Sequence, residues 1–221
     1  MIGKDALRAA KPYTPTFLAL YDPWVIRLSN RSAWRCPAEI MLAAYNKHLG
    51  HRHLEVGPGS GWYLVNAQRP AESLITLMDL NPAPLSHTRK RLHSKGCQVR
   101  TVTGNVLDPV PDSAGTGFDS IGLNFVMHCV PGSFAQKGVA FTHLARVLAD
   151  DGTLFGATIL NQRPRTLFGR ALSATYTRAG AFNNADDNCT GLESTLRAAF
   201  AYVELTDVGD VTMFTTRYPI R

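Results

Sequence analysis

Short apolar runs alternate with stretches of helical period along this chain. Leu54 and Val56 end a run over residues 52–56 that reads as a strand. Runs over 73–78, 98–103, 117–123 and 153–160 repeat the signal, and in 98–103 Val99, Thr101 and Thr103 alternate with Arg100 and Val102. The stretches between them read as helices. Residues 37–49 have Pro37 at the first position, Gly50 past the end, and a face of Ile40, Met41, Ala44, Tyr45 and His48. Further helices are predicted over 60–68 and over 82–95, the latter with Asn81 as cap, Pro82 at the first position and Gly96 as stop. Ser133 with Gln136 and Thr190 with Glu193 read as capping boxes, opening helices to Ala149 and Phe200. Asp150-Asp151-Gly152 reads as the turn before the fifth strand, and two strands, 201–208 and 211–217, close the chain around Gly209-Asp210. Strands that alternate with helices predict an α/β fold with a largely parallel sheet.

Where the first strand ends, the chain reads His53-Leu54-Glu55-Val56-Gly57-Pro58-Gly59-Ser60-Gly61-Trp62. Glycines at alternate positions allow positive φ and let a ligand lie against the backbone. A strand, a glycine loop and a helix form the nucleotide site of open α/β sheets. A dinucleotide fingerprint needs a third glycine five positions after the first, and Trp62 stands there. Glu55 instead precedes the first glycine by two, and Asp79 closes the second strand after one helix and a return. A carboxylate at Asp79 can accept both hydroxyls of a ribose, although it also suits a cap for the next helix.

The Glu-x-Gly-x-Gly-x-Gly pattern with the acid at Asp79 resembles motif I and the following strand end of the class I S-adenosylmethionine (SAM) methyltransferases. Phe118-Asp119-Ser120-Ile121 resembles the opening of that family's fourth strand. Residues 148–154 resemble its Leu-x-x-Gly-Gly-x-Leu motif, with Asp151 for the first glycine. The resemblance implies a Rossmann-like seven-stranded, mostly parallel sheet with helices on both faces and a C-terminal antiparallel hairpin. It implies SAM as cofactor and S-adenosylhomocysteine as product. It places Glu55, Gly57, Pro58, Gly59 and Gly61 at the methionine end, Asp79 and Leu80 at the ribose, and Asn105, Val106 and Leu107 at the adenine. Asn124 and Phe125, leaving the fourth strand, complete the cofactor wall. Asn105 stands where the family often has Asp, and offers the adenine edge both a donor and an acceptor.

The front segment carries Tyr21-Asp22, Ser29 and Trp34-Arg35. It is similar to the start of the ubiquinone/menaquinone-biosynthesis C-methyltransferases, with Asn30 and Arg31 replacing a motif glycine and histidine. That similarity implies a helical cover over residues 13–50, with Tyr21, Trp34 and Arg35 near the acceptor; a packing helix with Trp34 in the core is the other reading. Residues 161–188 are long for a connection and hold Leu167, Phe168, Leu172, Tyr176 and Phe182. They read as a lid that brings Tyr176 to the acceptor, or as a dimerisation helix.

Length and composition narrow the setting. At 221 residues, 45% hydrophobic and 18% charged, the chain suits one globular domain, 1–221. No apolar run approaches the ~18 residues of a membrane span, and the first residues lack the apolar core of a secretory signal. Cys36, Cys97, Cys129 and Cys189 are widely spaced, which suits reduced thiols in the cytoplasm. The net charge of +6 has no dominant tract, and His87, Arg89, Lys90, Arg91, His93 and Lys95 read as a solvated helix face.

SAM carries an activated methyl group, so an enzyme using it has to align an acceptor and exclude water. His128, just past the fourth strand, is the candidate general base if the acceptor must lose a proton. His143, mid-helix, is not expected at the site. The adjacent pair Asp186 and Asp187 is too little for a metal site, and none is expected. Asn124-Phe125-Val126-Met127 differs from the Asn/Asp-Pro-Pro-Tyr of enzymes that methylate nucleic-acid bases, and no glutamate follows before Phe141 to hold a guanidinium. The expected acceptor is therefore a small, largely apolar or aromatic metabolite, quinone-like or a natural product. An RNA methyltransferase, suggested by a pI near 9.3, and a SAM-binding regulatory protein without turnover remain as alternatives.

Overall fold

The computed structural model describes residues 30–161 and 166–221. Tyr21, and with it residues 13–29 of the front segment, lies outside the described residues. The described elements are α1 (Ala38–His48), β1 (Arg52–Val56), α2 (Trp62–Asn66), β2 (Leu74–Asp79), α3 (Pro82–His93), β3 (Gln98–Thr103) and β4 (Phe118–Asn124). They continue with α4 (Phe134–Lys137), α5 (Val139–Val147), β5 (Leu148–Ile159), α6 (Leu167–Arg178), α7 (Cys189–Ala199), β6 (Phe200–Val208) and β7 (Val211–Pro219).

The strands form one sheet in the order β3-β2-β1-β4-β5-β7-β6. β1 pairs in parallel with both β2 and β4, so the order reverses on either side of β1. β7 runs antiparallel to β5 and β6. This is the expected mostly parallel sheet with a terminal antiparallel hairpin. Open sheets bind ligands beyond the carboxyl ends of their strands at such a reversal. Those ends are Val56, Asp79 and Asn124 here.

Two apolar layers hold the sheet. On one face Leu54, Val56, Ile121 and Leu123 pack with Phe134, Phe141, Leu144, Leu192 and Leu196 of α4, α5 and α7. On the other, Ile75, Leu77 and Phe155 pack with Met41 and Tyr45 of α1, Leu64 of α2, and Leu85 and Leu92 of α3. Burial of this kind is the main term stabilising the fold.

Several expected boundaries move, each for a local reason. The helix over 60–68 shrinks to α2. Gly61 caps it in the left-handed conformation, and Ala67 is extended. Pro70 then disfavours helix for Arg69, whose guanidinium instead bonds the carbonyls of Leu64 and Ala67. The helix after Ser133 keeps its capping box but breaks at Gly138. A Cβ there would meet the Thr195 side chain, so Gly138 is where α7 comes closest. Asp150-Asp151-Gly152 lies inside β5 as a bulge, because Leu148 pairs with Phe118 and Thr153 pairs with Ser120. The cap of α7 is Asn188 rather than Thr190: its side chain accepts the Gly191 N–H at 2.7 Å, and Glu193 pairs with Arg197 instead.

Candidate functional site

The glycine loop is held from two sides. Gly57 N–H donates to Met78 O at 2.8 Å, tying the loop to β2. Thr88 Oγ1 donates to Gly59 O at 3.1 Å and Arg91 donates to Ser60 O at 2.8 Å, tying it to α3. Gly57, Gly59 and Gly61 all have positive φ. A Cβ on Gly57 would strike Val126, and one on Gly61 would strike Thr88. Gly57 therefore keeps the loop close to the β4 exit, and Gly61 seats it on α3. Gly61 lines neither cavity described next.

A first cavity of about 140 Å3 opens beyond the ends of β1, β2 and β4. Gly57, Gly59, Asp79, Leu80, Asn105, Val106 and Leu107 line it, with Asn124, Phe125, Val126 and Val130 from the β4 side. Asp79 accepts the Asn81 N–H on Oδ1 at 2.8 Å. Burial pushes its carboxyl up to about 6, against backbone hydrogen bonds from Asn81 and Leu80 that lower it. Asn105 accepts the Leu107 N–H on Oδ1 at 3.1 Å. Part of the acceptor capacity expected for the adenine edge thus goes to its own turn.

A second cavity of about 260 Å3 adjoins the first and shares Gly57, Gly59, Asn124, Phe125 and Cys129 with it. Glu55 and Pro58 line it on the loop side. Its other walls are Trp34, Tyr45, Trp62, Tyr63, His128, Tyr176 and Phe182. Phe182 is where three walls meet, with ring centroids 5.8 Å from Trp34, 4.7 Å from His128 and 5.1 Å from Tyr176. Phe125, at the junction of the cavities, has φ 58°. A bulky residue held there is strained, and such strain concentrates at functional sites.

Trp34 and Tyr176 line the second cavity, Trp34 also being buried in the apolar layer on that face, while Arg35 does not line it. Arg35 reaches away to Asp210, a buried carboxylate in the β6–β7 turn. Asp210 N–H in turn donates to Trp34 O at 2.8 Å. The pair fastens the front segment to the hairpin.

His128 is buried and lies on the cavity, with Nδ1 turned towards the backbone of β5. Ile159 donates its backbone N–H to Nδ1 at 3.3 Å, and Thr158 Oγ1 lies 3.5 Å from the same atom. A nitrogen that accepts carries the lone pair, so Nε2 carries the proton. Asp187 is tied to Lys137 at 2.7 Å, both side chains fully buried. Among the described residues no group of three His, Cys, Asp or Glu is placed to hold a metal. No helix among them is long and apolar enough to cross a membrane.

The sequence reading missed Tyr45 and Phe182 as cavity residues, and His53 as the partner of Glu55. Phe182 gave no signal beyond its place in the insertion. His53 did give one: with Glu55 it puts two polar side chains on one face of a strand that is otherwise apolar.

These residues fit SAM. The loop has no room for a Cβ at Gly57, and Asp79 supplies an acceptor beside the apolar walls of Leu80, Val106 and Leu107. Glu55 supplies a second carboxylate on the far side of the loop. Residues 54–156 match the family model described as a methyltransferase domain. The chain is 38% identical to the demethylluteothin O-methyltransferase of Streptomyces thioluteus, over 96% of this chain and 91% of that one. It is 34% identical to the physcion biosynthesis cluster O-methyltransferase of Aspergillus chevalieri, over 94% and 93% of the two chains. The solved structure of PigF with S-adenosylhomocysteine shares the fold, with a TM-score of 0.63 at 16% identity. The match covers 92% of this chain but only 59% of that longer one. On sequence, fold and site together, the chain belongs to the class I SAM-dependent methyltransferases.

Proposed function

We propose that this enzyme methylates an aromatic hydroxyl of a small, flat, largely apolar metabolite. The observation that carries the reading is the second cavity: aromatic rings from four parts of the chain line it, and His128 supplies a polar edge. Rings of this kind favour a planar apolar guest through stacked and edge-on contacts. The demethylluteothin O-methyltransferase and the physcion biosynthesis cluster O-methyltransferase support transfer to oxygen.

In this reading Asp79 accepts the ribose hydroxyls, and Leu80, Val106 and Leu107 sandwich the adenine with Asn105 at its edge. Glu55 and the Gly57–Gly59 backbone hold the amino-acid end. Asn124 and Phe125 stand where the two cavities meet, beside the reacting centre. The bound cofactor supplies a methyl group on a positively charged sulfur, and the protein's task is alignment. Trp34, Tyr176 and Phe182 press the acceptor flat and exclude water. The acceptor hydroxyl gives its proton to solvent water as it enters the site, and His128 donates from Nε2 to the resulting oxygen anion and holds it in its ionised, nucleophilic form. The described part of the insertion, residues 166–188, forms the lid. The setting is the cytoplasm, in keeping with four free cysteines. Acceptor-dependent release of S-adenosylhomocysteine, assayed with hydroxynaphthalenes and hydroxyanthraquinones, tests the proposal. Release with no member of such a panel would overturn it.

A further inference from the structure

β1 is buried from His53 to Val56, yet it carries His53 and Glu55 on one face. Buried polar groups persist when they are paired, and these two belong to a chain of bonds whose direction can be worked out. Gly50 N–H, which can only donate, reaches Ser120 Oγ at 2.8 Å. Ser120 Oγ lies 2.8 Å from His53 Nδ1, and His53 Nε2 lies 2.9 Å from Glu55 Oε2. A carboxylate only accepts, so Nε2 carries hydrogen, and in the neutral ring Nδ1 then accepts from the Ser120 hydroxyl. From the other side Tyr45 Oη donates to Glu55 Oε1 at 2.6 Å. Burial, then the Glu55 charge, hold the Tyr45 hydroxyl well above its ordinary pKa, so it keeps its proton. With its O–H donated to Glu55 in that bond, Tyr45 accepts from Asn124, whose Nδ2 lies 3.0 Å away. Every donor therefore runs towards Glu55, and Asn124 is left with Oδ1 as its acceptor.

We propose that His53 and Tyr45 are positioning residues that hold Glu55 as the acceptor for the cofactor's ammonium group, and that Tyr45 turns Asn124 so that its Oδ1 is a second acceptor for the same group. The inference rests on the placement of the amino-acid end at Glu55. Glu55 and Asn124 line the second cavity together with Gly57 and Gly59, while Asp79 lines only the first. The relay therefore acts on one end of the cofactor and leaves the nucleoside end untouched.

That division supplies the test. S-adenosylhomocysteine and 5′-methylthioadenosine share the nucleoside and the thioether, but only the former has the ammonium. Calorimetry should show His53→Leu and Tyr45→Phe each weakening S-adenosylhomocysteine by about tenfold or more, with 5′-methylthioadenosine within about twofold, on the scale of a lost charge-assisted bond. His53→Gln, whose amide both donates and accepts, should recover most of the loss. Cooperative thermal unfolding checks that each variant is folded, and if His53→Leu fails to fold, Tyr45→Phe decides alone. Equal weakening of both ligands, or no weakening in a folded variant, overturns the relay. Glu55→Gln separates the two claims. If it also leaves the ratio of affinities unchanged, the placement of the amino-acid end is wrong. If it alone changes the ratio, only the relay is wrong.

Discussion

Ile159 donates its backbone N–H to Nδ1 of His128 across 3.3 Å, and this bond decides what His128 can do. The neutral ring then carries its proton on Nε2 and has no lone pair there to take another. If His128 acts as a donor, a substitute that keeps an N–H donor is tolerated and one that does not is damaging. His128→Gln should retain turnover within about tenfold of wild type, and His128→Phe should lose about a hundredfold, the scale set by a positioned group at the reacting atom. Steady-state rates at saturating SAM check this. Equal hundredfold losses in both variants would restore the general-base role.

Asp79 gives a pH prediction. Its carboxyl sits at about 6 in the ligand-free protein, raised from 3.8 by burial. A raised acid titrates against folding: ionising it costs stability as pH climbs from 3.8 through about 6. Ribose hydroxyls need the ionised form. SAM affinity should therefore rise with pH up to about 6 and level off above it, with proton release on binding at the low end. Asp79→Asn should abolish that dependence and weaken SAM about tenfold or more. The same variant should stabilise the ligand-free protein at neutral pH by on the order of 1–2 kcal/mol. Calorimetry across pH and thermal melts of the variant measure each part.

Gly61 and Gly96 share a left-handed backbone, but only Gly61 has a neighbour where a Cβ would be. Gly96→Ala should cost the conformational penalty alone, about 1–2 kcal/mol. Gly61→Ala adds a collision with Thr88 and should displace the loop. It should cost more stability than Gly96→Ala and weaken S-adenosylhomocysteine binding, which Gly96→Ala leaves unchanged. Denaturant melts and calorimetry on both variants test the contrast.

The Lys137–Asp187 pair joins α4 to the end of the 161–188 insertion with both side chains fully buried. Lys137 also donates to Val130 O at 3.2 Å, on the wall of the first cavity. Removing one partner strands a buried charge, at a cost of about 3–5 kcal/mol. Lys137→Met should therefore lower the melting temperature by roughly 10 °C in a chain of this size. The double change Lys137→Met with Asp187→Leu should recover most of that, because an apolar pair replaces the ionic one. A double variant no more stable than the single would refute this.

Local pattern made the strands legible. β1 and β3 fall on the predicted residues because alternation and apolar runs are intrinsic to the strand. The ends of helices were less so. Asn188 outcompetes Thr190 as a cap through one side-chain bond, and nothing in the spacing favours it. The bulge at Asp150–Gly152 depends on how β5 registers against Phe118, a neighbour thirty residues away in the chain. The lining of the first cavity was readable because its residues lie at strand ends next to glycines. That of the second cavity was only partly so. Arg35 points elsewhere because a buried carboxylate, Asp210, waits for it near the other end of the chain. Phe182 matters because two rings distant in the chain, Trp34 and His128, converge on it. Contacts of this range leave no mark in a local window.

The central claim is transfer of a methyl group to an aromatic oxygen, and mass spectrometry of the acceptor tests it most directly. The enzyme is incubated with SAM carrying a trideuterated methyl group and a flat hydroxyaromatic, and the product is fragmented. The account predicts a trideuteromethyl ether, formed by wild type and by His128→Gln but scarcely by His128→Phe. A trideuteromethyl group on ring carbon or nitrogen, or an unlabelled acceptor across the whole hydroxyaromatic panel, would contradict it.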